Sequence, residues 1–465
     1  MANHREHTQE IRDALYGFVY LSKAEWSIVN TPAFQRLRDI KQLAMGHMVY
    51  PGAVHTRFEH SIGCVHQADR IIHQLRETSR DVLEGEFLVT PANFERARQL
   101  LRLAALLHDV GHPPYSHSGE EMLPKLEGKQ LSHEDMTARI IRETEIGEQI
   151  EHWFGSDGID REDVIAVATA VSKANGKRAT AYLSILNEML TGDLGADRID
   201  YLLRDAYHAG QRSGVFDQDR LIREVRLVAA PKEDEGESTT FHLGFGEGGW
   251  GVAEQMIAAR YLMYTGLYFH KTKRIYEIHL ADFMPAVLAR WEGRLPSEIL
   301  SYLSLSDSSV WSEIIRAAAD SRHEKHRLAT RFVKRDHMRK AIELVLADNF
   351  RLTSPEDGKS RKVPDKNRFQ RLANEVRLKY GIETAVDAAD HSATKMFDSH
   401  NLLVVLDGQT RYLDDVSEVV GGMSSRIWRG RIYVDAAKRT DVHDFCRSWL
   451  NENPMLQAKV GSDAK

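Results

Sequence analysis

Apolar positions recur at helical spacing over most of the chain, and breaks in that pattern mark the elements. "FVYLSKAEWSIVN" (Phe18 to Asn30) alternates for a short strand or hairpin and then turns helical. "TPAFQRLRDIKQLAMG" (Thr31 to Gly46) reads as a helix, with Thr31 as cap, Pro32 at the first helical position and Gly46 at the end. His55 to Glu77 has helical periodicity. Thr90 to His112 is a stronger helix, apolar at Leu100, Leu101, Leu103, Ala104 and Leu107, and it stops at Gly111 before Pro113 and Pro114. Ser132 to Glu143 and Arg178 to Gly210 are further helices. Glu224 to Phe245 predicts a hairpin around an acidic loop, and Gly251 to Trp291 one long helical stretch. Shorter, more polar helices follow. Thr353 to Arg368 reads as a loop. "HNLLVVLDG" and "RGRIYVDAA" predict short strands before a last helix near "DVHDFCRSWL". The pattern is mostly α with small β elements at the edges.

At 465 residues the chain exceeds what one core usually organises. No run of about 20 apolar residues exists for a membrane span, and the polar N-terminus has no apolar signal-peptide core. Cys64 and Cys446 cannot build a disulfide framework; both read as small buried residues of a reducing, cytoplasmic compartment. A net charge of −6 argues against a protein that coats nucleic acid. It leaves room for an anionic small substrate, because local arginines can reverse the field in a cleft. The glycine-rich "GFGEGGWG" (Gly244 to Gly251) lacks the Lys-Ser/Thr ending of a phosphate loop and reads as a hairpin exit.

"LLHDVGHPPYSH" (Leu106 to His117) puts three histidines and an aspartate at the end of an apolar helix. A buried carboxylate needs a counter-charge, and a divalent ion supplies one. A lone His–Asp pair is more often a cap or a core hydrogen bond. Here His60 lies on a neighbouring amphipathic helix and Asp197 on a third. Three packed helices can bring His60, His108, Asp109 and Asp197 around one ion with open positions, the form of a catalytic site. Imidazole with carboxylate suits iron, manganese, zinc or magnesium.

Three blocks in order, "PGAVHTRFEHSIG", "LLHDVGHPPYSHSGE" and "DRIDYLLRDAYHAG", resemble the HD-domain phosphohydrolase superfamily. Within it they are similar to the deoxynucleoside triphosphate triphosphohydrolases that include the mammalian SAM and HD domain enzyme. The likeness is dense from about Tyr16 to Lys273 and thin beyond Glu343, and no SAM domain is expected. The resemblance implies a mainly α fold. An HD-domain helical core with small β-hairpins would span residues 1–291, and a smaller α+β region, for oligomerisation or regulation, residues 292–465.

By that resemblance His60, His108, Asp109 and Asp197 are metal ligands. His117 and His133 match catalytic histidines, with Glu120 and Glu134 as their carboxylate partners and His112 near phosphate. A carboxylate on one ring nitrogen fixes the tautomer and raises basicity. Arg57, Arg198 and Arg260 are implied at phosphates, Gln42 and Asp205 at the sugar 3′-hydroxyl, Tyr201 at sugar and phosphate, and Tyr268 beside the base. Tyr264 replaces a histidine common at its position. Spacing adds that Asp197, Tyr201 and Asp205 follow at i, i+4, i+8 on one helix face, as do Arg260, Tyr264 and Tyr268, with Lys271 one turn on.

The implied activity is metal-dependent cleavage of a deoxynucleoside triphosphate to deoxynucleoside and inorganic triphosphate. One divalent ion sits in each site, and a second ion, magnesium, rides on the substrate phosphates. Relatives assemble into homo-oligomers, tetramers being favoured. Gln35 and Arg38 match positions that bind an activating nucleotide at a subunit contact. Asn30 stands where an aspartate reads guanine, and an amide cannot accept both guanine N–H donors. Spacing alone says only metal-assisted phosphate hydrolysis. Action on nucleoside monophosphates, cyclic nucleotides or nucleic acid, or nucleotide sensing with weak catalysis, fits the same metal set. Nucleic-acid binding through Lys359 to Arg368 would be a minor role at this net charge.

Overall fold

A computed structural model describes residues 9–169, 173, 180–231, 239–346, 350–353, 361–391, 402–422 and 427–454. An antiparallel hairpin opens the chain, β1 (Gln9–Asp13) with β2 (Gly17–Leu21), and leads into α1 (Lys23–Val29). Three helices then carry the framework: α2 (Arg57–Thr78), α3 (Phe94–Leu107) and, after α4 (His133–Glu143) and α5 (Ala181–Thr191), α6 (Ala196–Ala209). The apolar stripe predicted on α3 is its core face, since Leu100, Leu101, Leu103, Ala104 and Leu107 are all fully buried. Each such leucine contributes about 1.5–3 kcal/mol by leaving water. Arg102 on α3 forks onto Glu25 of α1 at 2.7 and 3.0 Å, tying the first helix to the core.

The stretch Thr31–Gly46 is not one helix. Thr31 and Pro32 start a single turn, Pro32–Gln35, which tightens through Arg36–Asp39 and stops at Ile40 in extended conformation. The backbone of Ile40 and Gln42 pairs instead with Arg57 and His55, and the Lys41 N–H donates to Asp307 at 3.0 Å. These long-range bonds outweigh the local helical pattern. They also fix the loop that leads into α2.

Strands β3 (Val225–Ala229) and β4 (Phe241–Phe245) form the expected hairpin; residues 232–238 of its acidic loop lie outside the described residues. Helix α7 (Trp250–Met263) does not run on to Trp291. It passes through a π-helical turn, Tyr264–Tyr268, and restarts as α8 (Lys271–Val287), capped by His270. Lys271 therefore begins a new helix on the surface instead of extending the tyrosine face.

Beyond α9 (Asp307–Ala319) lies a second apolar cluster. Strand β5 (Arg339–Val345), helix α10 (Lys366–Tyr380) and strand β6 (Ala385–His391) precede β7 (Leu403–Leu406), β8 (Gln409–Tyr412), β9 (Ile427–Val434) and α11 (Arg439–Glu452). β9 sits between β6 and β5 in an antiparallel sheet, and Leu372, Val376, Trp428, Ile432 and Cys446 pack there. β7 joins β4 in parallel, so the C-terminal part completes a four-stranded sheet begun by β3 and β4. The loop expected over Thr353–Arg368 is shorter than predicted: Arg361–Pro364 is a strand and α10 starts at Lys366. Its residues 354–360 lie outside the described residues. The main apolar cluster continues through Ile314 and Phe332 and takes in Leu402, Val404 and Ile427. The fold is mainly α. Among the described residues no helix is long and apolar enough to cross a membrane.

Candidate active site

His60 stands one turn into α2, on the face that also carries Arg57 and Cys64, and is fully buried. His108 caps the C-terminal end of α3, and Asp109 follows in the turn before the two prolines. Asp197 lies in the first turn of α6. These three helix ends meet. His60 Nε2 is 3.1 Å from Asp197 Oδ1 and 3.5 Å from Asp109 Oδ2. His108 Nε2 is 3.5 Å from Asp109 Oδ1 and 3.8 Å from Asp197 Oδ1. Neighbouring donors about 2.1 Å from one ion stand roughly 3.0–3.5 Å apart, so the spacing fits a single divalent cation. The tautomers fit as well. His108 Nδ1 donates to the Ala105 carbonyl at 2.9 Å, while its Nε2 is buried with no hydrogen-bond partner among the described residues. That lone pair is the expected trace of a ligand. Cys64 Sγ adds a soft donor 3.6 Å from His60 Nε2; burial pushes its thiol up to about 12.

Behind the ligands lies a charge relay that the sequence pattern did not reveal. His60 Nδ1 binds Asp200 Oδ2 at 2.8 Å, which directs Nε2 toward the cluster. Arg204 forks onto Asp200 with two 2.9 Å bonds and ion-pairs with Asp13 on β1, also at 2.9 Å. Burial alone would raise the Asp200 carboxyl; Arg204 and His60 hold it down at about 2. α2 must come very close for this. A Cβ on Gly63 would stand 1.9 Å from Asp200 Oδ1 and 2.3 Å from Arg204 Nη2, so only glycine fits.

Arg57, expected at a phosphate, is only 4% exposed and bonds within the protein. Its guanidinium ion-pairs with Asp109, and its Nε donates to Ser116 Oγ at 3.0 Å. Burial would raise Asp109, but Arg57, His108 and His112 keep its carboxyl well below the usual range. Tyr115 and Ser116 both take the left-handed conformation, with φ of 60° and 53°. Such residues cost on the order of 1–3 kcal/mol each and need outside support. Asp307 supplies it, accepting the Tyr115 N–H at 2.6 Å, while Ser116 Oγ donates to the Lys41 carbonyl at 2.7 Å.

That bent loop presents the second cluster. Glu120 Oε1 is 2.9 Å from His117 Nδ1 and 2.6 Å from His133 Nδ1. One carboxylate thus serves both histidines. Glu134 was the expected partner of His133, but among the described residues it makes no bond to it: Glu134 sits in the first turn of α4 and the ring reaches back to Glu120. Burial would raise Glu120; the two imidazoles pull it far below the carboxylate range. His112 stacks on His133 with centroids 4.1 Å apart and sits with Nε2 3.3 Å from Asp109 Oδ1, linking the two clusters. Burial, Arg57 and His133 hold its imidazole well below the usual value, so it is neutral. Gly111 permits the approach, since a Cβ there would lie 2.2 Å from the His133 carbonyl oxygen.

Further along α6 are the residues expected at a nucleoside. Asp205 accepts from Tyr268 at 2.7 Å and pairs with His55 Nε2, also at 2.7 Å. Gln42 bonds through its backbone to the His55 carbonyl, and its Oε1 is buried without a hydrogen-bond partner among the described residues. Tyr268 packs edge-on to Tyr264 at 4.8 Å and to Tyr201 at 6.4 Å, and Arg260 lies 6.0 Å from the Tyr264 ring. The π-turn leaves the aromatic face intact. Arg198 and Arg260 both face Asp193, a residue the sequence pattern did not single out. Gln35 and Arg38 bond to each other at 2.8 Å, with Arg38 over the Phe58 ring.

Comparison with known proteins shows the family. The HD domain family matches residues 57–205, and the HD associated region matches residues 216–457. The chain belongs to the HD-domain phosphohydrolase superfamily. It is therefore a hydrolase of the phosphohydrolase class, with a His/Asp cluster able to hold a divalent metal. An uncharacterized protein of Methanocaldococcus jannaschii is 27% identical over 439 residues, covering 93% of this chain and 81% of that one. The deoxynucleoside triphosphate triphosphohydrolase SAMHD1 homolog of Dictyostelium discoideum is 28% identical over 288 residues, 60% of this chain and 49% of its own. A crystal structure of a hypothetical protein from Aquifex aeolicus superposes with a TM-score of 0.71 at 29% identity, over 94% of this chain and 99% of that one.

Proposed function

We propose that the chain is a metal-dependent deoxynucleoside triphosphate triphosphohydrolase, releasing deoxynucleoside and inorganic triphosphate. The observation that carries this reading is α6. It presents Asp197 to the cation cluster and Asp205 to Tyr268, with Tyr201 between them on one face. At 1.5 Å per residue the two carboxylates are about 12 Å apart along the helix, so one face of α6 would run from the phosphates to the sugar. Kinship with the Dictyostelium discoideum enzyme, named for this activity, supports it.

His60, His108, Asp109 and Asp197 would hold the ion, which supplies Lewis acidity toward the phosphoryl oxygen and the attacking water. Cleavage forms a bond from the water oxygen to the α-phosphorus and breaks the bond from phosphorus to O5′, and the proton that the water loses passes to solvent. His117 or His133, each oriented by Glu120, gives the proton that O5′ needs. His112 would stand beside the phosphate with its Nε2 facing Asp109. Arg198 and Arg260 would exchange Asp193 for the triphosphate oxygens. The 3′-hydroxyl would donate to Asp205 or to the buried Gln42 Oε1, with Tyr264 and Tyr268 beside the base. We further propose a homo-oligomer, tetrameric by family likeness, in which Gln35 and Arg38 meet an activating nucleotide.

The test is product analysis. The protein is incubated with each of the four deoxynucleoside triphosphates, singly and mixed, with iron, manganese or magnesium, and phosphorus-containing products are separated by ion exchange. Inorganic triphosphate is expected, with the mixture revealing any activator. Release of orthophosphate or pyrophosphate alone, or turnover confined to monophosphates, cyclic nucleotides or nucleic acid, would overturn the reading.

A further inference from the structure

The three imidazoles around Glu120 form a donor set that proton transfer does not fully explain. His112 Nδ1, His117 Nδ1 and His133 Nδ1 lie 3.9, 2.9 and 2.6 Å from Glu120 Oε1. One donor atom from each of the four residues lies within 4.8 Å of the others. Hydrogen bonds to Glu120 account for His117 and His133. They do not account for His112, which is 1% exposed and whose Nδ1 has no hydrogen-bond partner among the described residues. Its Nε2 faces Asp109 at 3.3 Å, so a proton on Nε2 leaves Nδ1 as a bare lone pair aimed into the cluster. A buried acceptor left unmatched is unfavourable, and each such atom in a folded protein calls for an account.

We propose that His112, His117, Glu120 and His133 form a second metal site, separate from the His60–His108–Asp109–Asp197 set, that binds Zn²⁺ or a similar divalent transition ion. Imidazole nitrogen and carboxylate oxygen are donors that zinc prefers, and four protein donors close its coordination. A closed site leaves no position for water or substrate. An ion there also occupies every side chain assigned to proton transfer, so it inhibits hydrolysis. Ion binding rests on the geometry alone; the inhibitory consequence rests on the proton-transfer role proposed above.

Co²⁺ is the probe, because a four-coordinate Co²⁺ ion absorbs visible light much more strongly than a six-coordinate one. The full chain is stripped of metal, dialysed and titrated with Co²⁺. Two equivalents should bind, the second with the strong visible band, and Zn²⁺ should displace it. His117→Ala removes a side chain that is 68% exposed, so folding is expected to survive, checked by circular dichroism. It should weaken the second ion at least about tenfold and leave the first unchanged. His108→Ala should do the reverse. A single equivalent in the unaltered chain, or a second one indifferent to His117→Ala, would overturn the site. A second ion bound at full strength with undiminished turnover would overturn its inhibitory role, and the proton-transfer reading with it.

Discussion

Asp197→Asn should cut turnover at least about a thousandfold, equivalent to about 4 kcal/mol of transition-state stabilisation, with little change in melting temperature. The contrast follows from the surroundings of the donors. Asp197 pairs with His60 and His108, and its side chain is 29% exposed, so an amide of the same size leaves no buried arginine uncompensated. Asp109 is different. It neutralises Arg57 in a site where both side chains are almost fully buried. Replacing His108 and Asp109 together by alanine should abolish turnover too, but at a cost in stability, because Arg57 would keep its charge without its partner. Turnover of Asp197→Asn within about tenfold of the unaltered chain would remove Asp197 from the chemistry.

Arg204→Met should lower stability by about 3–5 kcal/mol, the usual effect of removing one partner from a buried ion pair. Arg204 is fully buried and its guanidinium answers two carboxylates, Asp200 on its own helix and Asp13 on β1. Methionine fills much of the volume but removes the guanidinium from both acids, leaving Asp200 with His60 alone. Asp200 also orients His60, so metal affinity should fall by about 10–100-fold in the same variant. Thermal unfolding and metal titration read the two effects separately. A melting temperature unchanged to within a degree would show that the relay does not hold β1 and α6 to the core.

Much of the site was visible in the sequence because its residues sit at helix ends, where pattern and punctuation are clearest. The apolar stripe of α3 ends at His108, and the prolines after Gly111 mark the turn. Asp197, Tyr201 and Asp205 share a face because α-helical spacing puts them there. What escaped was set by distant contacts. Asp200 follows Asp197 by three residues and had a local signal, but Asp13, some 190 residues away, had none. The helix predicted over Thr31–Gly46 breaks because Ile40 and Gln42 bond to Arg57 and His55, further along the chain. The family resemblance implies Glu134 as the partner of His133, whereas the left-handed pair Tyr115 and Ser116 bends Glu120 into that place. Asp307, nearly 200 residues downstream, supports this bend and carries no sequence mark of doing so.

Anomalous scattering from crystals of the protein loaded with Mn²⁺ examines the central assignment without relying on activity. A peak is expected within bonding distance of His60 Nε2, His108 Nε2, Asp109 and Asp197, and it should vanish in crystals of Asp197→Asn grown the same way. Density for Mn²⁺ only elsewhere, with those four side chains bonded solely to one another, would contradict the account.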